Sequence, residues 1–344
     1  MTETEKSSDN FSERQIAGQR LMVGFDGTRL NSDLEFLIGT LNVGGIILFS
    51  RNITSPDQIR ELSSDIQAYA ASCGNPALFM AIDQEGGTVA RLKAPFTLFP
   101  EGNPGIKTIE DAIRFAKTTA QEMREAGLNM NMAPVLDVEP EGFKGIMHER
   151  VFRGDSHTVA DFGRVVIETF QENGIMAVGK HFPGIGRTTL DSHLELPFLK
   201  TSFKELEETD LVPFKQAIEK YVDGIMLSHI LYEGIDPLWP ASLSEKIAKH
   251  LLRDVMGYDG LILTDDLDMK AIRHDIPTQI RQIMAADIDI VLICHKSPKI
   301  ENAFNEIVYT ITSSEKNMAK GMASLERILR LKRRFSVAAN GFLA

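Results

Sequence analysis

Three short stretches concentrate ionisable side chains beside glycines. The first, KHFPGIGRTTLDSHLELP at 180–197, ends an apolar run in Lys180-His181. It then turns on Pro183, Gly184 and Gly186 and carries Asp191 and His193 two residues apart. A carboxylate beside an imidazole holds its tautomer and stabilises its charged form, giving an acid/base that titrates near neutrality. The same spacing also suits a plain turn with a surface histidine. The second, LILTDDLDM at 261–269, closes an apolar run on Asp265 and Asp266. Neighbours on a strand point to opposite sides, so one of the pair faces a substrate. An inward carboxylate there is a candidate nucleophile, and opposite an acid/base group it makes the arrangement of a retaining glycosidase. The third, DQEGGTVARL at 83–92, sets Asp83 before a Gly86-Gly87 turn and Arg91 after it. Asp accepts two hydrogen bonds from a sugar diol and Arg donates to oxygens, although a structural ion pair would explain the spacing equally well.

Other chemistries lack their motifs. The chain has no G-x-S-x-G elbow, no Walker phosphate loop and no H-E-x-x-H. Its 8 histidines include no i, i+2 pair, the spacing that imidazole ligands often take in metal-dependent barrel hydrolases. No metal and no cofactor is therefore expected.

The elements that must position these groups follow from the apolar runs. They are RLMVGF (20–25), VGGIILF (43–49), ALFMAID (77–83), NMNMAPVLDV (129–138), IMAVGKHF (175–182), GIMLSHILY (224–232), GLILTDD (260–266) and IDIVLICH (288–295). They are continuous rather than alternating, as in strands buried on both faces of a parallel sheet. Helical patterns lie between them. One at 55–72 opens on Ser55-Pro56, one at 108–126 opens on Thr108 and stops at Gly127, and one at 242–256 opens on Ser242 with Glu245 in capping-box position. Eight strands alternating with helices predict an α/β fold, a single (β/α)8 barrel of the TIM type spanning 1–344, with 1–15 a flexible leading segment. A doubly wound sheet would need G-x-G-x-x-G after its first strand, where FDGTRLNSD stands instead. In a barrel, chemistry belongs at the carboxyl ends of strands, and Asp83, Asp137, Lys180-His181, His229 and Asp265 all fall there.

Composition sets the outer bounds. With 48 acids against 37 bases and a net charge of −11, the 344-residue chain repels phosphate backbones, so nucleic acid is not an expected partner. Two cysteines make no disulfide framework and suit a reducing compartment. The start, MTETEKSSDN, is not a signal peptide, and no apolar run is long enough to span a bilayer. The expectation is a cytoplasmic monomer. The basic, amphipathic ERILRLKRRF at 326–335 reads as a solvated helix end rather than a membrane stripe.

Six stretches together resemble glycoside hydrolase family 3, in particular its single-domain bacterial β-N-acetylglucosaminidases of the NagZ type. DQEGGTVARL is similar to the family's DQEGGRVxRL, NMNMAPVLDV to NxxxAPVLDV, and HERVFRGD (148–155) to GxRSFGxD. KHFPGIGRTTLDSH is similar to KHFPGHGxxxxDSH, SHILYEGIDPLWPASLS (228–244) to AHVxYxxxDxxPASxS, and GLILTDDLDM to GVIxSDDLxM. They occur in the family's order and cover nearly the whole chain. The resemblance implies a TIM-type barrel, Asp265 as the nucleophile, His193 as a histidine acid/base and Asp191 as its partner. It implies Asp83, Arg91, Arg150, Lys180 and His181 as ligands of the terminal sugar. The implied reaction is retaining, exo-acting release of N-acetylglucosamine, typically from muropeptides in peptidoglycan recycling.

Three positions depart from the family pattern. Ile185 stands for the GHG histidine, Thr88 for the DQEGGR arginine, and Arg187 for a small or acidic residue. Ile185 is expected to alter loop closure, and Arg187 to add a cation on the leaving-group side. A β-glucosidase, an N-acetylglucosamine phosphorylase and a sugar-binding protein with weakened catalysis remain as alternatives, as does a lyase built on Lys180.

Overall fold

The computed structural model describes residues 11–189, 197–269 and 274–341. Eight parallel strands close into a barrel: β1 (Leu21–Val23), β2 (Gly45–Leu48), β3 (Phe79–Ile82), β4 (Met130–Asn131), β5 (Met176–Phe182), β6 (Gly224–Leu227), β7 (Leu261–Asp266) and β8 (Ile290–Ile293). Each pairs with its sequence neighbours, and β1 pairs with β8 to shut the ring. Every apolar run of the sequence holds one of these strands.

Continuous apolarity reflects two separate cores. Ile47, Phe79, Ala81, Met176, Val178, Leu263 and Leu292 fill the barrel interior. Their strand neighbours Ile46, Leu48, Met80, Ile82, Ala177, Ile262 and Ile293 pack under the outer helices. Period-two alternation therefore sorts one apolar run into two buried faces.

Two predicted helix starts hold. Ser55 caps Pro56–Ser72 by accepting from Gln58 N, and Thr108 and Asp111 form a capping box on Ile109–Glu125. The third start is corrected. Ser242 caps nothing; it lies in a short 3-10 turn, Ala241–Leu243, and Ser244 accepts from Ile247 N to open the helix Lys246–Val255. At the amino end, residues 1–10 lie outside the described residues. Residues 11–15, expected to be flexible, instead include Ser12, which caps the helix Glu13–Gln19 and sends Ile16 and Ala17 into the core.

The basic C-terminal stretch is neither a solvated end nor a surface stripe. Within the helix Glu315–Gly341, Ile328, Leu331 and Phe335 join the barrel-interior cluster. Arg327 pairs with Asp287 and Asp289, and Lys332 Nζ donates to Gln19 Oε1 at 2.7 Å. Gln19 precedes β1 and Asp289 precedes β8, so this helix stoppers the amino-terminal end of the barrel. Asp83, Lys180 and Asp265 lie toward the opposite, carboxyl end. Among the described residues, no helix is long and apolar enough to cross a membrane.

Candidate active site

At the carboxyl end, strand parity decides which groups face inward. Phe79 and Ala81 of β3 point into the barrel, so Asp83 two residues on continues that row. Met176 and Val178 of β5 do the same for Lys180. The two rows meet: Lys180 Nζ lies 2.8 Å from Asp83 Oδ1 and 2.6 Å from Glu85 Oε1. Arg150 closes a fork on Glu85, with Nε and Nη2 at 2.9 and 2.8 Å from the two carboxylate oxygens. Arg91 approaches Asp83 more loosely, at 3.5 Å, and lies 5.4 Å from the Phe49 ring centroid.

The DQEGG hairpin is built to hold Asp83 and Glu85 there. Asn131 of β4 clamps Gln84 by bonding its backbone N–H and C=O at 3.0 and 3.1 Å. Gln84 Oε1 in turn accepts from the N–H groups of Arg91 and Leu92. Gly86 takes φ +80° with Gly102 Cα about to touch any Cβ, at 3.0 Å, so a side chain is excluded there.

Three cations, Lys180, Arg150 and Arg91, thus surround two carboxylates, Asp83 and Glu85, in a small volume. Burial alone would push the Glu85 carboxyl up, but Lys180 first and then Arg150 outweigh it and hold it below the usual carboxylate range. Burial works against charge on Lys180 as well, yet Asp83 and Glu85 hold its ammonium above the ordinary value. Lys180 is a fixed cation with donors only, suited to oxygen acceptors and not to forming a Schiff base, which needs a neutral amine.

His181 follows Lys180 at a point where the β5–β6 ladder shifts register. Its Nδ1 lies 2.8 Å from Asp137 Oδ2. The other oxygen of Asp137 accepts from the N–H of Ile185 at 2.8 Å. One fully buried carboxylate therefore orients the imidazole and roots the 183–189 segment. Ile185 is buried against the main core, so this departure sits at the anchored foot of the loop. Thr88 lies exposed in the hairpin turn. Arg187 corrects an expectation. Its guanidinium bonds Asp210 Oδ2 at 3.0 Å and Thr209 Oγ1 at 2.8 Å, so its charge is neutralised by the protein.

Asp265 stands at the end of β7, partly accessible at the barrel mouth. Its Oδ1 accepts the Asp266 N–H at 2.8 Å. Burial pushes its carboxyl up, but the neighbouring His229 and His181, that N–H and Lys180 outweigh it and hold the carboxyl below the ordinary value. It is an ionised carboxylate at neutral pH, as a nucleophile must be. Asp266 takes the other side. Its Oδ1 accepts from the N–H groups of Asp268 and Cys294.

Asp191 and His193 lie outside the described residues. Of the remaining expected site residues, Asp83, Arg91, Arg150 and Lys180 are joined in one network, His181 directly follows Lys180, and Asp265 stands at the same mouth. Neither Glu85 nor Asp137 was assigned a site role from the sequence, although Asp137 was already legible as a strand-end acid. Glu85 was visible in principle, since it sits two residues from Asp83 and shares its face in an extended chain.

Among the described residues, Asp266, Asp268 and His295 bring one possible ligand atom each within 4.8 Å of one another. Both Asp268 oxygens and one Asp266 oxygen already have partners. Asp268 bonds Lys299 Nζ at 2.9 Å and the His295 N–H at 3.1 Å, and Asp266 accepts two N–H groups. A lysine ammonium at that carboxylate competes with a cation, and the cluster fits a metal poorly.

Comparison with known proteins settles the lineage. The model of the glycosyl hydrolase family 3 N terminal domain matches residues 14–331. The chain belongs to glycosyl hydrolase family 3. It is 37% identical over 287 residues to a beta-hexosaminidase of Alkalilimnicola ehrlichii, covering 80% of each chain. It superposes with a TM-score of 0.91 on a family 3 beta-N-acetylglucosaminidase from Paenibacillus sp. str. FPU-7, at 35% identity. That match covers 95% of this chain and 63% of the other. NagZ from Neisseria gonorrhoeae superposes at 0.72 with 26% identity, over 89% of this chain and 96% of that one. As a family 3 member the chain is a glycoside-hydrolysing enzyme on a TIM-type barrel. The ionised Asp265 and the acid–cation network beside it lie at the end where such barrels work.

Proposed function

We propose that this family 3 enzyme is a retaining, exo-acting β-N-acetylhexosaminidase that releases terminal N-acetylglucosamine through a covalent glycosyl ester on Asp265. The observation that carries this reading is a partly accessible, ionised Asp265 beside a set of oxygen-binding groups, the buried Lys180 and His181 and the half-buried Asp83 and Arg150. The names of the relatives give the substrate class. Asp83 accepts from sugar hydroxyls, while Lys180, Arg91 and Arg150 donate to hydroxyl and acetamido oxygens. The Asp265 carboxylate attacks the anomeric carbon as the glycosidic bond breaks. His193, partnered by Asp191 on the strength of the sequence resemblance, donates the proton to the leaving oxygen and then takes one from the incoming water. We read the natural substrate as a muropeptide of peptidoglycan recycling, acted on by a single cytoplasmic barrel domain working as a monomer.

The test is release of 4-nitrophenol from its N-acetyl-β-glucosaminide, with the β-glucoside in parallel and phosphate in a third arm. Turnover of the acetamido substrate to free sugar supports the reading. Turnover of the glucoside alone overturns the substrate, and a sugar 1-phosphate product overturns hydrolysis.

A further inference from the structure

The end of β7, which carries Asp265, is held only in part by its own sheet: the Leu267 N–H bonds the Leu292 carbonyl at 2.9 Å, but the ladder is interrupted before it. Leu263 pairs with Ile290 of β8, but the next pair is Asp266 with Leu292. Three steps on β7 match two on β8, so Thr264 and Asp265 bulge out of the ladder. On the other side, the β7–β6 register ends at Leu263 with Met226. Side chains fill the gap in the ladder. Thr264 Oγ1 accepts the Leu292 N–H at 3.0 Å, and Asp266 Oδ1 accepts the Cys294 N–H at 3.0 Å. On the β6 side, His229 reaches across with Nε2 2.8 Å from the Asp266 carbonyl oxygen.

A carbonyl only accepts, so Nε2 of His229 carries a proton. Nδ1 faces Ser242 Oγ at 2.6 Å. Both side chains are buried, and burial lowers the histidine's proton affinity, which leaves Nδ1 bare to accept the serine hydroxyl's proton. The Asp266 carbonyl thus fixes the tautomer, and Ser242 supports it by donating to the bare Nδ1. Ser242 is itself fixed by its N–H to the Ser228 carbonyl at 3.0 Å. Asp266 is gripped twice: His229 holds its carbonyl, and its N–H bonds the Asp265 carboxylate.

We propose that the Ser242–His229 pair is a positioning device for Asp265: it fixes the Asp266 peptide unit, and through it the approach of the carboxylate to the sugar. This rests on the reading of Asp265 as nucleophile. His229 is too buried to touch a substrate, so the pair acts only through the chain it holds.

The test compares His229→Leu, His229→Gln and Ser242→Ala in the full chain, using the 4-nitrophenyl N-acetyl-β-glucosaminide. Misplacing a reacting group by an ångström costs about 10²-fold, so kcat of His229→Leu is expected to fall by roughly 10- to 100-fold. KM and inhibition by free N-acetylglucosamine should stay within about twofold, since the sugar-binding groups are untouched. His229→Gln carries a donor where Nε2–H lies and should recover most of the loss. Ser242→Ala removes one oxygen and should show a smaller fall, which keeps the test open if His229→Leu does not fold. Unchanged kcat in Ser242→Ala and His229→Leu would overturn the proposal, as would glutamine faring no better than leucine. An inactive wild type would refute the functional reading instead. In that event the ¹⁵N shifts of labelled histidine decide the pair directly. An Nε2–H tautomer for His229, with its Nδ1 shift altered in Ser242→Ala, supports it, and an Nδ1–H tautomer in the wild type overturns it.

Discussion

Glu85 is the hub on which the sugar-binding cations depend, and Glu85→Gln tests that dependence. The change keeps shape and removes charge. It leaves Lys180 with Asp83 alone and takes one arm of the Arg150 fork away, with both cations facing an amide. Removing one partner of a buried ion pair costs about 3–5 kcal/mol. For a chain of 344 residues the unfolding entropy scales to about 0.7 kcal/mol per kelvin. The expected loss is therefore about 4–7 °C in melting temperature at pH 7. The pH dependence has a definite sign. The folded carboxyl titrates below its unfolded value of about 4.3, so its contribution is complete above that pH and is lost as pH falls below it. The deficit of the variant should thus be full at pH 7 and shrink below about pH 4. Thermal unfolding of both proteins at the two pH values gives the first answer, and KM for the aryl glycoside gives the second, with at least a tenfold rise expected. A melting temperature within about 1 °C of wild type, together with unchanged KM, would refute the reasoning that Glu85 holds the site together.

Other perturbations should act through other named contacts. Asp137→Asn puts an amide donor against His181 Nδ1 and forces the other tautomer, so kcat/KM should fall by about 10²-fold with little change in melting temperature. Asp223, before β6, is raised to about 7 by burial against the pull of Arg334. Its folded form keeps a proton that the unfolded chain releases near pH 4, so stability should fall between about pH 4 and pH 7 by at most about 4 kcal/mol. Asp223→Asn should remove that slope, and a variant that gains nothing on wild type from pH 5 to pH 8 would count against it. Arg187→Met strips the buried Asp210 of its cation, and about 3 kcal/mol should be lost at pH 7 while KM for an anionic aglycone stays unchanged.

The barrel was legible because its strands are apolar on both faces, and helix caps such as Ser55 and Thr108 were legible because their partners lie three residues away. The misread elements have distant partners. Ser242 satisfies a capping pattern locally, but its hydroxyl is claimed by His229 from another strand, and Ser244 caps in its place. The C-terminal helix looked like a charged surface because nothing local shows that Leu331 and Phe335 enter the barrel. Glu85 and Asp137 are likewise defined by Arg150 and His181, which lie 65 and 44 residues further along the chain. Local spacing identified the groups at strand ends, Asp137 among them; it was silent on which of them hold the others.

The most direct test of the central claim is covalent trapping. The wild-type chain would be incubated with a slow fluorinated N-acetylglucosaminyl donor, and its intact mass and peptic map recorded. The expected result is one added fluoro-N-acetylglucosaminyl unit, carried by the peptide containing Asp265 and absent from Asp265→Ala. Product released with inverted anomeric configuration, or an adduct on any other carboxylate, would contradict it.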